Sequence, residues 1–375
     1  MGSGPRQVNA GMYSSILDVA AANAHIRTAM TDPNDLFAAN MAAIGFAPPV
    51  LPDGQPTPEA LEAADRTSRS WTSRHRGELR VGSADHRREA CKMFRETFNP
   101  YRPAVISWPK LSADMLQRVT SLPIWDIAVH TEGRARLRFA SYAATAPASE
   151  IRDALMLNAW EENRHKEVLS DLVKAYGIAL GPEPAYRVPR DPEWMYLVTG
   201  YCECIDSFFA FGLFELARRS GFFPPELVQT FEPVIQEECR HILLFANLLA
   251  WQRASLPWWR RMALELRVAA AWVYIAWERL VLARSMKSNG MGTGQDSNFT
   301  MSSARAVTPI EIGVRDLMTL CLEENDRRFA GYDARLVRPK AMPALVRIGL
   351  FLTRPWVRSK QSAAGRIDER SPAGG

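Results

Sequence analysis

A chain of 375 residues, 47% hydrophobic and 23% charged, has the length and balance to bury a substantial core. Its formal charge of +5 is modest, and neither zinc-finger spacing nor an RNA-binding aromatic signature accompanies it, so nucleic acid is excluded as a partner. The five cysteines (91, 202, 204, 239 and 321) form no C-x-x-C pair, and the opening residues lack a secretory apolar core. The expectation is a reducing, cytoplasmic setting.

In chain order, helical composition over 12–30, 57–69 and 83–97 is interrupted by the proline-rich APPVLPDGQPTP (47–58) and NPYRP (99–103). Residues 1–110 therefore read as an N-terminal segment of helices and loops. From about 121 to 286 long helical stretches follow with short connectors. TAPAS (145–149) opens one, with Pro147 and Glu150 suited to a helix start, and YGIALGPEP (176–184) closes it. GFFPPE (221–226) separates the next two, and SLPWW (255–259) introduces a further one. Its apolar run Val268–Trp277 is about half of what spanning a bilayer requires, so it reads as a buried or interfacial helix, not a transmembrane one. Residues 288–306 form a polar, glycine-rich loop, a candidate lid or disordered segment. A helix is expected over 308–330 and a disordered tail from about 361. No alternating strand pattern is convincing, so the class is all-α, with 111–255 as the central bundle and 256–375 as C-terminal helices, loop and tail.

One phrase recurs. EENRH ends at His165 and EECRH at His241, in a chain with only six histidines. Residues three apart on a helix share a face, so Glu162 and His165 point one way, as do Glu238 and His241. Steps of three and four place both pairs in the middle of apolar stripes: Ile151, Leu155, Leu169 and Leu172 around the first, Leu227, Phe231, Phe245 and Leu248 around the second. Carboxylates and imidazoles on a core-facing stripe demand a neutralising partner, and a shared metal centre supplies one. Di-metal carboxylate bundles also need one acid from each of two other helices. Glu132, 30 residues before Glu162, and Glu203, 35 residues before Glu238, have the spacing for a helix, a turn and a return. Glu161 and Glu237 lie off the stripe, where each can accept the outer N–H of a histidine on the facing helix, with Arg164 and Arg240 as their counter-charges.

Together, Glu132, WEENRH (160–165), YCEC (201–204) and QEECRH (236–241) resemble the ferritin-like di-iron carboxylate superfamily. The nearest motif similarity is to the soluble acyl-carrier-protein desaturases, over roughly residues 120–250. The resemblance implies a four-helix bundle carrying extra N- and C-terminal helices. It implies iron ligation by Glu132, Glu162, His165, Glu203, Glu238 and His241, with Glu162 and Glu238 as bridges. Where the desaturases have a threonine three residues after the third-helix glutamate, this chain has Asp206, which makes Asp206 a catalytic candidate for proton delivery.

Carboxylate-rich ligation with one imidazole per metal suits iron, with manganese as the alternative, better than zinc. The expected activity is O2-dependent oxidation of an organic substrate by hydroxylation, desaturation or a related C–H reaction. That substrate is a small molecule or an acyl group on a carrier protein. No Rossmann glycine pattern or iron–sulfur cysteine set is present, so an external ferredoxin or reductase is expected to supply electrons. A homodimer is expected by analogy. The competing readings are a ferritin-like iron-handling or peroxide-detoxifying protein, and a metal-free scaffold. Trp125, Phe139, Phe231 and Phe245 are candidate walls of a dry pocket. EENDRR (323–328) echoes the motif without a histidine and is read as a charged helix face.

Overall fold

The computed structural model describes residues 37–39, 41–42, 45–52, 56–101, 108–122, 124–181, 186–287 and 312–352, with backbone alone for 282–287. The expected helix at 12–30, the loop at 288–306 and the tail from 361 lie outside these residues. What is described is all-α: α1 (Pro58–Arg69), α2 (Ala84–Glu96), α3 (Ala113–Thr120), α4 (Trp125–Ala143), α5 (Ser149–Ala175), α6 (Pro192–Ser220), α7 (Pro225–Ser255), α8 (Trp258–Lys287), α9 (Val314–Phe329) and α10 (Ala341–Leu352). The nearest thing to a sheet among the described residues is an isolated bridge between Trp71 and Tyr332.

Local chemistry sets many of the ends. Thr57, Ser83, Ser112 and Asp191 cap α1, α2, α3 and α6, each side-chain oxygen accepting a backbone N–H of the first turn. Asp191 is followed by Pro192, which fits a first helical position because no N–H is needed there. Gly221 ends α6 in the left-handed conformation (φ 66°). α5 begins at Ser149, two residues after Pro147, with Glu150 in its first turn.

α4 packs along α5, and α6 along α7 and α4, so two helical hairpins lie side by side. Side chains of α5 and α7 then meet between the hairpins. α2 lies across α5 and α7, α8 runs along α6, and α9 packs on α6. The α6–α9 approach requires Gly212, since a side chain there would collide with Cys321. One apolar core draws on Met93 and Phe94 of α2, Leu155 of α5, Leu243 of α7, Ala271 of α8 and Phe329 of α9. The sequence segments before and after the bundle thus share its core.

The charged helix face EENDRR is partly buried: Glu324 and Arg328 are inside, Arg327 pairs with Glu324, and Arg328 pairs with Glu232 on α7. Its counter-charges lie partly on another helix, which a reading of one helix cannot see. Val268–Trp277 has one side in the core (Val268, Ala271, Ile275) and one at the surface (Val273, Trp277). Among the described residues the helix long and apolar enough to cross a membrane is α6, with 67% of its most apolar window buried inside the protein.

Candidate metal centre

α5 and α7 present the two Glu-x-x-His pairs to each other. One ligand atom from each of Glu162, His165, Glu238 and His241 lies within 4.8 Å of every other. The arrangement is close to two-fold. His165 Nδ1 lies 3.1 Å from Glu238 Oε1 across the interface and 3.9 Å from its own Glu162. His241 Nδ1 lies 2.9 Å from Glu162 Oε1 and 3.8 Å from its own Glu238. The imidazoles face each other with centroids 5.5 Å apart.

The outer nitrogens are held by a crossed brace. His165 Nε2 is 2.7 Å from Glu237, and His241 Nε2 is 2.9 Å from Glu161. With each Nε2 hydrogen-bonded to a carboxylate, each Nδ1 is turned inward to the cluster. Arg164 donates to Glu237 and to the Asn99 carbonyl, 2.9 Å away. Arg240 donates to Glu161 (2.8 Å), Thr97 Oγ1 (2.8 Å) and the Phe94 carbonyl (2.6 Å). The brace on the histidines and arginines follows from the helical spacing. Its anchors on Phe94, Thr97 and Asn99 do not, because no short-range pattern links residues 94–99 to Arg164, 65 residues after Asn99, or to Arg240, 143 after Thr97.

Burial and charge then shape the titration of these groups. Burial would raise Glu161, but Arg240 and the His241 hydrogen bond hold it at about 2. Glu162 is likewise lowered against its burial, chiefly by His241. Burial would lower His165, yet Glu237 and Glu238 push it well above the usual imidazole range. His241 rises to about 9 because Glu162 and Glu161 outweigh its burial.

Glu132 and Glu203 stand outside the tightest group of four but face the same space. With Glu162, His165, Glu238 and Asp206 they line a cavity of about 220 Å³. Burial pushes both carboxyls well above the usual range, with Glu162 and Glu238 adding repulsion. Among the described residues, neither Glu203 oxygen has a hydrogen-bond partner. Asp206 lines the wall and accepts from Arg279 of α8 at 3.0 Å, so it is both a cavity residue and half of an ion pair. Most of the remaining wall is apolar, including Trp125, Leu213, Leu227 and Phe231. Phe139 and Phe245 are not part of it. They pack against Tyr196, which shares the Glu203 face of α6 but lies about two turns along it, beyond the cavity; this corrects the expectation for those two. Arg138 and Thr199, 3.3 Å apart, complete the polar wall; no motif marks Arg138 in the sequence.

The donor set fits a pair of hard divalent cations. Inward-facing His165 Nδ1, His241 Nδ1, Glu162 Oε1 and both Glu203 oxygens are buried without an aligned hydrogen bond. Such orphaned polar atoms are rare in folded proteins. Two ligands on opposite sides of one ion, each about 2.1 Å from it, sit about 4.2 Å apart, comparable to the cluster's span. Charge points the same way: six glutamates (132, 161, 162, 203, 237 and 238) outnumber three arginines (138, 164 and 240), an excess of buried negative charge that divalent cations would offset. Comparison with family models, curated proteins and solved structures finds no match to this chain.

Proposed function

We propose that the four converging side chains, with Glu132 and Glu203, hold two iron ions (or manganese) in a ferritin-like bundle, and that the protein is an O2-dependent oxidase or oxygenase of an organic substrate. The observation that carries this reading is the pair of Glu-x-x-His motifs set face to face, each histidine oriented by a glutamate of the opposite helix. When bound, two ferrous ions supply electrons to O2 and make an oxidant able to attack C–H bonds. In a hydroxylation, two electrons come from the substrate and two from an external donor; one oxygen atom enters the product and the other leaves as water.

The chain's own residues have separate parts. Glu161 and Glu237 keep the Nε2 protons on His241 and His165, so that each Nδ1 presents its lone pair to the ion. The apolar wall around Phe231 and Leu213 keeps bulk water from the reacting centre and seats an apolar part of the substrate. Asp206 is the wall carboxylate placed to hand a proton across the cavity, its position fixed by Arg279. The cavity beside the cluster favours this reading over iron storage, which needs no pocket for an organic molecule.

Anaerobic titration with ferrous iron, followed by O2 addition in an oxygen electrode, is the test. About two irons per chain, with O2 uptake that needs an external reductant, is the expected result. Many irons per chain would point to storage. Absence of binding, or binding unchanged in Glu162→Ala and His241→Ala, would refute the metal centre.

A further inference from the structure

The structure carries an apolar surface that the metal site does not use. On α8, Trp258, Met262, Leu266, Val273, Trp277 and Leu280 are spaced by 4, 4, 7, 4 and 3 residues, which keeps them on one side of the helix. All are exposed, Trp258 to 78%, Val273 to 70% and Leu266 to 69%. The stripe is about 33 Å long at 1.5 Å per residue. The opposite side of α8 is also apolar and is already in the core through Leu264, Val268, Ala271 and Ile275. Folding alone therefore explains one face of this helix and leaves the other without a purpose. α10 repeats the pattern, with Leu345, Ile348, Phe351 and Leu352 exposed. The cleft between the two helices is lined by Val268 and Trp272 from the core-facing side of α8, so it lies apart from the exposed stripe.

Charge selects what covers this surface. Trp258 and Trp259 lead into Arg260 and Arg261, both exposed, and Arg260 lies over the Trp259 ring. Neither arginine has a carboxylate partner among the described residues. The acids of α8, Glu265 and Glu278, are engaged by Arg253 and Tyr274. A second copy of this chain laid along the stripe would bring more arginine and no answering carboxylate from α8. Indole rings at both ends of an apolar stripe, with the Arg260 and Arg261 guanidiniums at the Trp258 end, suit the boundary between acyl chains and anionic headgroups. In sequence, α10 leads on to Arg354, Trp356, Arg358 and Lys360, a further group of the same composition.

We propose that the exposed apolar face of α8 seats this protein on an anionic lipid surface as a peripheral, non-spanning protein. The inference does not depend on the metal reading.

Flotation of the full chain with vesicles tests it, using phosphatidylcholine alone and phosphatidylcholine with one-third phosphatidylglycerol. The protein is expected to float with the anionic vesicles and to be released by salt. Arg260→Ala/Arg261→Ala is expected to bind about thirtyfold more weakly to anionic vesicles. Leu266→Ser/Val273→Ser, which leaves the charge unchanged, is expected to lose about tenfold or more. Because these side chains are exposed, urea midpoints and circular dichroism should match the parent. Failure of the parent chain to float with anionic vesicles overturns the proposal, as does undiminished flotation of Leu266→Ser/Val273→Ser. A dimer that this variant splits, in a chain that ignores vesicles, overturns it in favour of a second copy.

Discussion

Replacing Glu161 by Gln tests the crossed brace most sharply. Glu161 and Arg240 are both fully buried, and Glu161 also accepts from His241. Its carboxyl is held at about 2 against an ordinary 4.5, so the folded state favours the ionised form by about 3 kcal/mol. Removing one partner of a buried ion pair costs about 3–5 kcal/mol by an independent route, because the other charge is left uncompensated. Gln keeps the shape and can still accept from Arg240, which retains Thr97 and the Phe94 carbonyl, so a loss near 3 kcal/mol is expected at pH 7. The depressed carboxylate contributes stability that is present above pH 4.5 and lost as the pH falls toward 2. Urea denaturation of the metal-free proteins should thus show a gap between parent and variant that is full at pH 7 and narrows below 4.5. The variant should also bind ferrous iron about 10–100-fold more weakly, since the His241 ring is no longer fixed by a carboxylate. Glu167→Gln, an exposed residue on the same helix, is the control and should stay within about 0.5 kcal/mol. If Glu161→Gln matches that control in both stability and iron affinity, the brace has no energetic role and the reasoning fails.

Three further outcomes follow from the geometry. Loading the site at pH 7 should release at least two protons, from the imidazoles of His165 and His241, with any further release coming from the raised carboxyls of Glu132 and Glu203; a pH-stat titration without proton release would contradict this. Gly200→Ala should destabilise by about 1–3 kcal/mol or more, because the new methyl would collide with the Phe245 ring between α6 and α7; an unchanged urea midpoint would mean the two helices can part freely. Ala210→Phe, which fills the cavity, should leave the iron stoichiometry near that of the parent while abolishing substrate-stimulated O2 uptake; parallel loss of iron would show that the cavity wall and the ligand cluster are not separable.

The sequence by itself determined the helical class and the direction of the key side chains. Helix periodicity is local: three residues carry Glu162 to His165 on one face, and one residue back turns Glu161 to another. Glu161 and Glu237 could therefore be placed behind the histidines of the facing helix without any long-range knowledge. Caps and prolines, read over four or five residues, set the start of α6 and the break before α7. What tertiary structure alone decided is everything that depends on which distant surfaces meet. Arg240 finds Thr97 and Phe94 only because α2 crosses α7, and Arg328 finds Glu232 only because α9 and α7 approach around α6. Asp206 meets Arg279 because α8 runs alongside α6. Phe139 and Phe245 share the periodicity of the site stripes, yet meet Tyr196 instead of the cavity, since a stripe runs the length of its helix and the cavity occupies only part of that length. The exposed half of α8 was hidden for the same reason: composition marks a residue as apolar, and only packing decides whether water or protein lies against it.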